Sequence, residues 1–155
     1  MATSAARLTG APAAGRAAGA VPWIDALYAL GAMTLAVEAA VHVQQFVSLF
    51  HAVHWIGPLF VANAVASLLA AAGLVHARTR PVAALAGIAI SACALGSLVL
   101  SYGTGLFGWM EGGWRMAIAV ALGSELGAIL TLAAALTGAA LRVEGIHRKM
   151  RQAAA

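Results

Sequence analysis

The feature that most constrains this chain is its length of uninterrupted apolar sequence. Of its 155 residues, 63% are hydrophobic and only 9% are charged, whereas a soluble domain carries roughly a quarter charged residues. A helix needs about 20 apolar residues to cross the hydrocarbon core of a bilayer. Four stretches meet this requirement, at about 23–46, 55–75, 82–102 and 115–141. The sequence therefore predicts an all-α membrane protein, an antiparallel bundle of four transmembrane helices.

The regions outside these stretches differ sharply in composition. Residues 1–20 are mostly Ala, Gly, Ser and Thr and are predicted to form a flexible N-terminal tail. Residues 21–141 form the predicted bundle, and residues 142–155 form a basic tail. We expect one membrane domain with two short tails.

The basic residues predict the orientation of the bundle. Cytoplasmic loops of membrane proteins carry an excess of Lys and Arg. Under a four-span topology, one side holds the basic residues of both tails and of the 76–81 turn: Arg7, Arg16, Arg78, Arg80, Arg142, Arg148, Lys149 and Arg151. The opposite side holds Arg115. Both termini are therefore predicted to be cytoplasmic, in a bacterial inner membrane, and the net charge of +4 indicates topology and not nucleic-acid binding.

One stretch inside the first span is unusual for a lipid environment. In TLAVEAAVHVQQ, residues 34–45, the side chains of Thr34, Glu38, His42 and Gln45 recur at helical spacing, so they share one face. Ionisable groups at membrane depth are costly and generally functional. This face is the first element of a predicted site.

Polar residues of the other spans fall at a similar depth. A rise of 1.5 Å per residue puts Glu38 on the order of 12–15 Å below the outer surface. Asn63 lies about eight residues in from the outer end of the second span and Glu125 about ten residues into the fourth. Glu38, His42, Asn63 and Glu125 are therefore predicted to form a ligand- or proton-binding site in the outer half of the membrane.

The sequence alone does not identify what this site binds. Imidazole and carboxylate ligands suit divalent iron, zinc or manganese, so Glu38, His42 and Glu125 are the candidate metal ligands. A proton or a small polar ligand is an alternative. A further alternative is a structural clasp, in which Glu38 bonds His42 or Asn63 and fixes the bundle geometry.

Two histidines close to the outer surface are the remaining ligand candidates. His51 and His54 share a face if the second helix starts early, and they are interpreted as interfacial side chains in preference to a metal-capture pair. Haem usually takes histidine ligands. Here it would require His51 or His54 to pair with His42.

Other residues are assigned packing roles. The small residues Ala83, Gly87 and Ser91, and the pair Gly123 and Gly127, are predicted to allow close helix approach. The single cysteine, Cys93, is predicted to be buried against a neighbouring helix. Trp109 and Trp114 are predicted to be interfacial anchors.

Three motifs support a resemblance. They are the E-x-x-x-H of Glu38 and His42, HWIGPLF at 54–60, and GLFGWMEGGWR at 105–115 ahead of a helix containing Ser124-Glu125. Over about residues 29–141 the chain resembles small four-helix integral membrane proteins of actinobacteria and similar GC-rich bacteria, and more loosely the DoxX-like proteins in size and span number. The resemblance implies a four-helix inner-membrane fold. It implies no activity, ligand or residue role.

Three functions fit these expectations. The first is a membrane module that binds or passes a proton, cation or small polar ligand, as a homo-oligomer or as part of a membrane complex. The second is an accessory subunit of a respiratory or oxidase-type complex, in which the polar layer is a clasp or contacts a quinone headgroup. The third, a metal- or haem-dependent oxidoreductase subunit, ranks last, so an enzyme is the less favoured interpretation. The lipid bilayer is an expected partner in all three.

Overall fold

The fold is a set of four long helices joined by short connections, seen in a computed structural model that describes residues 22–154. The helices are α1 (Pro22–Gln45), α2 (Ile56–Gly73), α3 (Arg80–Gly103) and α4 (Met116–Ala153). All four are long and apolar enough to cross a membrane, and the described residues contain no strand. The predicted all-α class with four span-length helices is confirmed, while the predicted tail at 1–20 lies outside the described residues.

Each helix packs mainly against two others. α1 and α3 both contact α2 and α4, and α1 and α3 also touch each other over a smaller area. At the centre, the side chain of Leu132 on α4 lies over Gly31 of α1 and Gly87 of α3, leaving no room for a Cβ atom at either glycine. Leu35 and Leu132 are fully buried there. Close packing around small residues replaces the hydrophobic drive that lipid does not provide.

The two predicted small-residue ridges have different outcomes. On α3, the structure buries Ala83, Gly87 and Ser91 together. On α4, a Cβ at Gly127 would lie 3.0 Å from Thr34, but nothing lies within 4 Å of one at Gly123. The prediction of a packed Gly123/Gly127 pair is therefore wrong at Gly123, because one turn of separation carries it beyond the contact with α1.

The outward faces of the helices carry large apolar side chains. Leu69, Val82 and Leu130 are each exposed over about two thirds or more of their surface, at 68%, 73% and 67%. Such a surface suits contact with lipid chains. α4 continues beyond the predicted span end at Leu141 to Ala153, so the basic tail begins as a continuation of this helix.

The C-terminal end of α1 changes its helical geometry. Residues Phe46–Phe50 form a π-helical turn, in which the backbone N–H of His51 donates to the carbonyl of Phe46 at 2.8 Å. The next helix begins after Trp55, which has a positive φ of 65°. Both features are uncommon in regular helices and concentrate near functional sites. They lie between 4 and 13 residues beyond His42 in the sequence.

Candidate functional site

Glu38 lies at the centre of the bundle and is fully buried. The hydroxyl of Ser91 on α3 donates to its Oε2 at 2.7 Å. The hydroxyl of Ser67 on α2 lies 3.3 Å from its Oε1 and 3.2 Å from Oδ1 of Asn63. Because a hydroxyl has one proton, Ser67 donates a hydrogen bond to either Glu38 or Asn63, and not to both at once. Glu38 is thereby held in position by two helices besides its own.

His42 is oriented by the backbone of the same helix. Its Nδ1 lies 2.9 Å from the carbonyl oxygen of Glu38, and a carbonyl can only accept, so Nδ1 carries the proton. In the neutral ring, Nε2 is then left with a free lone pair. The ring is buried and packs against Phe60 with 5.1 Å between ring centroids. His42 is therefore set up as an acceptor or ligand through Nε2.

Glu125 brings a second carboxylate to the same place from α4. It is 2% exposed, and its Oε2 is buried without a hydrogen-bond partner. Buried polar atoms are nearly always hydrogen-bonded in folded proteins. This oxygen is the exception that most needs an explanation.

The three side chains form one cluster. One ligand atom each from Glu38, His42 and Glu125 lies within 4.8 Å of the other two. Within residues 22–154 the ion pairs of Arg and Lys are Arg80–Asp25 and Arg115–Glu111, so neither buried glutamate has a basic partner. A buried, uncompensated carboxylate costs several kcal/mol. A proton or a cation in the cluster would neutralise this buried negative charge.

A cavity of about 460 Å³ adjoins the cluster. His42 and Glu125 line it, whereas Glu38 does not. Most of the other lining side chains are apolar and come from α2 and α3. Leu59, at 46% exposure, and Cys93 are exposed lining residues, so the cavity reaches the bundle surface between these helices. The prediction that Cys93 is buried is wrong, because this side of α3 faces the cavity instead of another helix.

The loop between α3 and α4 forms the other end of the cavity. Leu106 and Trp109 exchange two backbone hydrogen bonds, of 2.7 and 2.8 Å, around Phe107 and Gly108, which both have positive φ. This is the pattern of a type I′ turn. The turn brings the Trp109 ring edge-on to Phe50 at 5.2 Å.

Trp109 therefore has a different place from the one predicted. It lines the cavity, and its Nε1 is buried without a hydrogen-bond partner. The interfacial-anchor prediction is wrong for this residue, because the tight turn folds the ring inward. Trp114 is 67% exposed, as an anchor would be.

A polar contact joins this loop to α1. The guanidinium of Arg115 donates to Oε1 of Gln45 at 2.8 Å and pairs with Glu111. It also lies 5.8 Å from the centre of the Phe50 ring. All four residues line the cavity, so a charged group closes the end opposite Glu125.

The structure brings together three of the four residues of the predicted site. Asn63 is half-buried, lines the cavity and contacts Ser67, one step away from the cluster. His51 and His54 are exposed and do not belong to it. Thr34 bonds the carbonyl of Gly31 in its own helix.

Sequence reasoning missed the partners of these residues. Ser67 and Ser91 were indistinguishable from the many small residues of Ala-rich helices, although Ser67 follows Asn63 by one turn. From the sequence, Arg115 is identified only as a basic residue on the side opposite the tails. Comparisons with models of known families, with curated proteins and with solved structures found no match. Function is therefore inferred from the geometry of the chain itself.

Proposed function

We propose that this chain is a multi-pass inner-membrane protein that binds a divalent cation through Glu38, His42 and Glu125. A proton takes the place of the cation when the site is metal-free. The site lies in the outer half of the bilayer and is reached through the adjoining cavity. The chain thus acts as a cation-binding or cation-passing module.

The observation that carries this proposal is the bare Oε2 of Glu125. Glu125, whose Oε2 is buried without a partner, shares a cluster with a second carboxylate and an imidazole. A purely structural contact would leave no such atom, since an unsatisfied buried polar group costs about 1–3 kcal/mol. A cation or proton supplies the missing partner.

The surroundings of the ligands support a metal ion. Metal-ligating histidines usually donate their other ring N–H to a carbonyl or carboxylate, and ligating carboxylates are themselves hydrogen-bonded. His42 meets the first condition through the Glu38 carbonyl, and Glu38 meets the second through Ser91 and Ser67. Fe²⁺, Mn²⁺ and Zn²⁺ accept this ligand set. The three protein ligands leave at least one coordination position free.

Contacts at the two ends of the bundle support an antiparallel arrangement. At one end Asp25 near the start of α1 pairs with Arg80 at the start of α3, and both line a pocket with Arg142 of α4. At the other end Gln45, which ends α1, bonds Arg115, which precedes α4. The positive-inside rule places the Arg80 and Arg142 end, with both termini, in the cytoplasm.

Titration of purified, detergent-solubilised protein with Mn²⁺, followed by the electron paramagnetic resonance signal of free Mn²⁺, tests the proposal. We expect one Mn²⁺ per chain and a more than tenfold loss of affinity in Glu125→Gln, because a direct ligand is lost. Glu144→Gln, an exposed glutamate of the same helix, is the matched control and should bind normally.

The clasp alternative predicts a different result. Glu38 does tie α1 to α2 and α3 through two serines, so a structural role for that residue has direct support. If the cluster were only a clasp, folded wild-type protein would bind no Mn²⁺, and Glu125→Gln would lower the melting temperature. Cation binding predicts that metal-free Glu125→Gln melts no earlier than wild type, because the neutral amide has nearly the shape of the protonated carboxyl group that it replaces.

A further inference from the structure

We infer that the cavity binds a flat ring with an oxygen at each end, the chemistry of a para-quinone or hydroquinone headgroup. The inference rests on the proposed cation site, because the cation holds one of the two oxygens. Trp109 holds the other.

Two residues that line the cavity carry a polar atom without a hydrogen-bond partner, and we assign these two atoms to the ends of the ligand. Within the described residues, two buried side-chain atoms have no hydrogen-bond partner, Oε2 of Glu125 and Nε1 of Trp109. Both residues line this one cavity. An indole N–H can only donate, so it requires an acceptor such as a ligand oxygen. A cation on Glu125 likewise requires a further lone pair to fill its free position.

The wall between these ends is aromatic. The rings of His42 and Phe60 lie 5.1 Å apart, those of Phe60 and Phe50 4.5 Å, and those of Phe50 and Trp109 5.2 Å, measured between centroids. All four line the cavity, and they form a continuous row from the cluster to the loop. Flat rings pack favourably on such a surface in offset or edge-on contact.

The size and access of the cavity fit an amphiphile from the membrane. Its volume of about 460 Å³ falls within the range of small-molecule sites, about 300–1,000 Å³. Exposed Leu59 and Cys93 mark its opening between α2 and α3. On a membrane-spanning bundle this surface meets lipid, so an apolar tail can remain in the bilayer while the ring occupies the cavity.

The single cysteine of the chain gives a direct readout of occupancy. Because Cys93 lines the cavity, a bound ring should slow its alkylation by N-ethylmaleimide. The full chain is loaded with Mn²⁺ in phosphatidylcholine nanodiscs. The rate of Cys93 alkylation is then measured in the presence of each of three probes of similar shape. Duroquinone has two ring oxygens and no free ring position for thiol addition, 2,3,5,6-tetramethylphenol has one oxygen, and durene has none.

We expect duroquinone to protect Cys93 at the lowest concentration. In Trp109→Phe its half-protecting concentration should rise about tenfold, the equivalent of one buried hydrogen bond, while protection by durene stays unchanged. Because each probe partitions into lipid equally in all samples, its half-protecting concentration is compared between wild type and variant, and not with that of another probe. Trp114→Phe is the matched control, and Mn²⁺ binding by Trp109→Phe should equal that of wild type.

Two results would overturn the inference while leaving the cation site intact. One is equal sensitivity of duroquinone and durene to Trp109→Phe in Mn²⁺-loaded protein, which means that the cavity holds any hydrophobe, including a lipid chain. The other is protection by duroquinone that is unchanged in Trp109→Phe. Failure of folded wild-type protein to bind Mn²⁺ would instead overturn the proposed function. It would also remove the cation as the partner of one ring oxygen.

Discussion

At the scale of single residues, the two buried glutamates have different surroundings and therefore different roles. Both oxygens of Glu38 face serine hydroxyls, so this carboxylate is held in place by its neighbours. Glu125 keeps one oxygen bare, so it is the group that a cation completes. His42 lies between these roles, because one ring nitrogen is fixed by the backbone and the other is free.

Removal of one of the two hydroxyls that hold Glu38 should weaken metal binding without changing a ligand. We expect Ser91→Ala to lower Mn²⁺ affinity about 10- to 100-fold, the usual cost of losing a group that orients a ligand. Ser124→Ala is the matched control, because Ser124 bonds the carbonyl of Ala121 and no glutamate. Unchanged affinity in Ser91→Ala, measured by the same Mn²⁺ titration, would show that the Ser91 hydroxyl does not orient a metal ligand.

These residue roles could be predicted only in part from the sequence. Spacing put Glu38 and His42 on one face, and counting depth along the helices put Glu125 in the same layer, because helical rise is regular. The serine partners could not be identified, because a serine in an Ala-rich helix also serves simply as a small packing residue. The inward position of Trp109 depends on a turn with two positive φ values, one of them at Phe107, which its residue type does not favour.

At the scale of helices, close approach around glycine positions the cluster. Gly87 lies one turn from Ser91 on α3, and Leu35 lies one turn from Glu38 on α1. Leu35 and Leu132 fill the space against Gly87, so the same contact that joins α1, α3 and α4 brings Ser91 to Glu38.

Helix spans could be predicted well from hydropathy. The end of α4 could not, since residues 142–153 are good helix formers that simply stop being apolar.

Addition of a methyl group at this contact should destabilise the bundle. A Cβ at Gly87 would lie 2.9 Å from Cδ1 of both Leu35 and Leu132, and both leucines are fully buried and have no room to move. We expect Gly87→Ala to lower the free energy of unfolding by about 1–3 kcal/mol. Gly96→Ala on the same helix has nothing within 4 Å and should be neutral or slightly stabilising. Dodecyl sulfate titration in mixed micelles measures both, and equal stability of the two variants would contradict the packing account.

At the scale of the whole molecule, four helices enclose a polar cluster and an apolar cavity on the same side of the bundle core. The cluster is built from α1 and α4, while most of the cavity wall comes from α2 and α3. The ligand atoms and the access route therefore come from different pairs of helices. In the proposed orientation the cavity lies toward the outer face, where the loop with Trp109 and Arg115 covers one end.

The orientation makes a separate prediction. In a Cys93→Ser background, Gly112→Cys places a thiol in the exposed loop between α3 and α4, and Ala77→Cys places one in the exposed turn between α2 and α3. We expect a membrane-impermeant maleimide to label Gly112→Cys in intact bacterial cells, and to label Ala77→Cys only after lysis, because the positive-inside rule keeps the Arg78 and Arg80 turn in the cytoplasm. The reverse labelling pattern would show that the bundle has the opposite orientation in the membrane.

The most direct test of the central claim is to detect His42 on the bound metal. In protein labelled with ¹⁵N-histidine and loaded with one Mn²⁺, electron spin echo modulation should show coupling to a single ¹⁵N nucleus. The coupling should persist in the His51→Gln, His54→Gln double variant, because both of those side chains lie outside the cluster. A Mn²⁺ signal without nitrogen coupling in wild type, or a coupling lost in the double variant, would contradict the assignment of Glu38, His42 and Glu125 as the cation site.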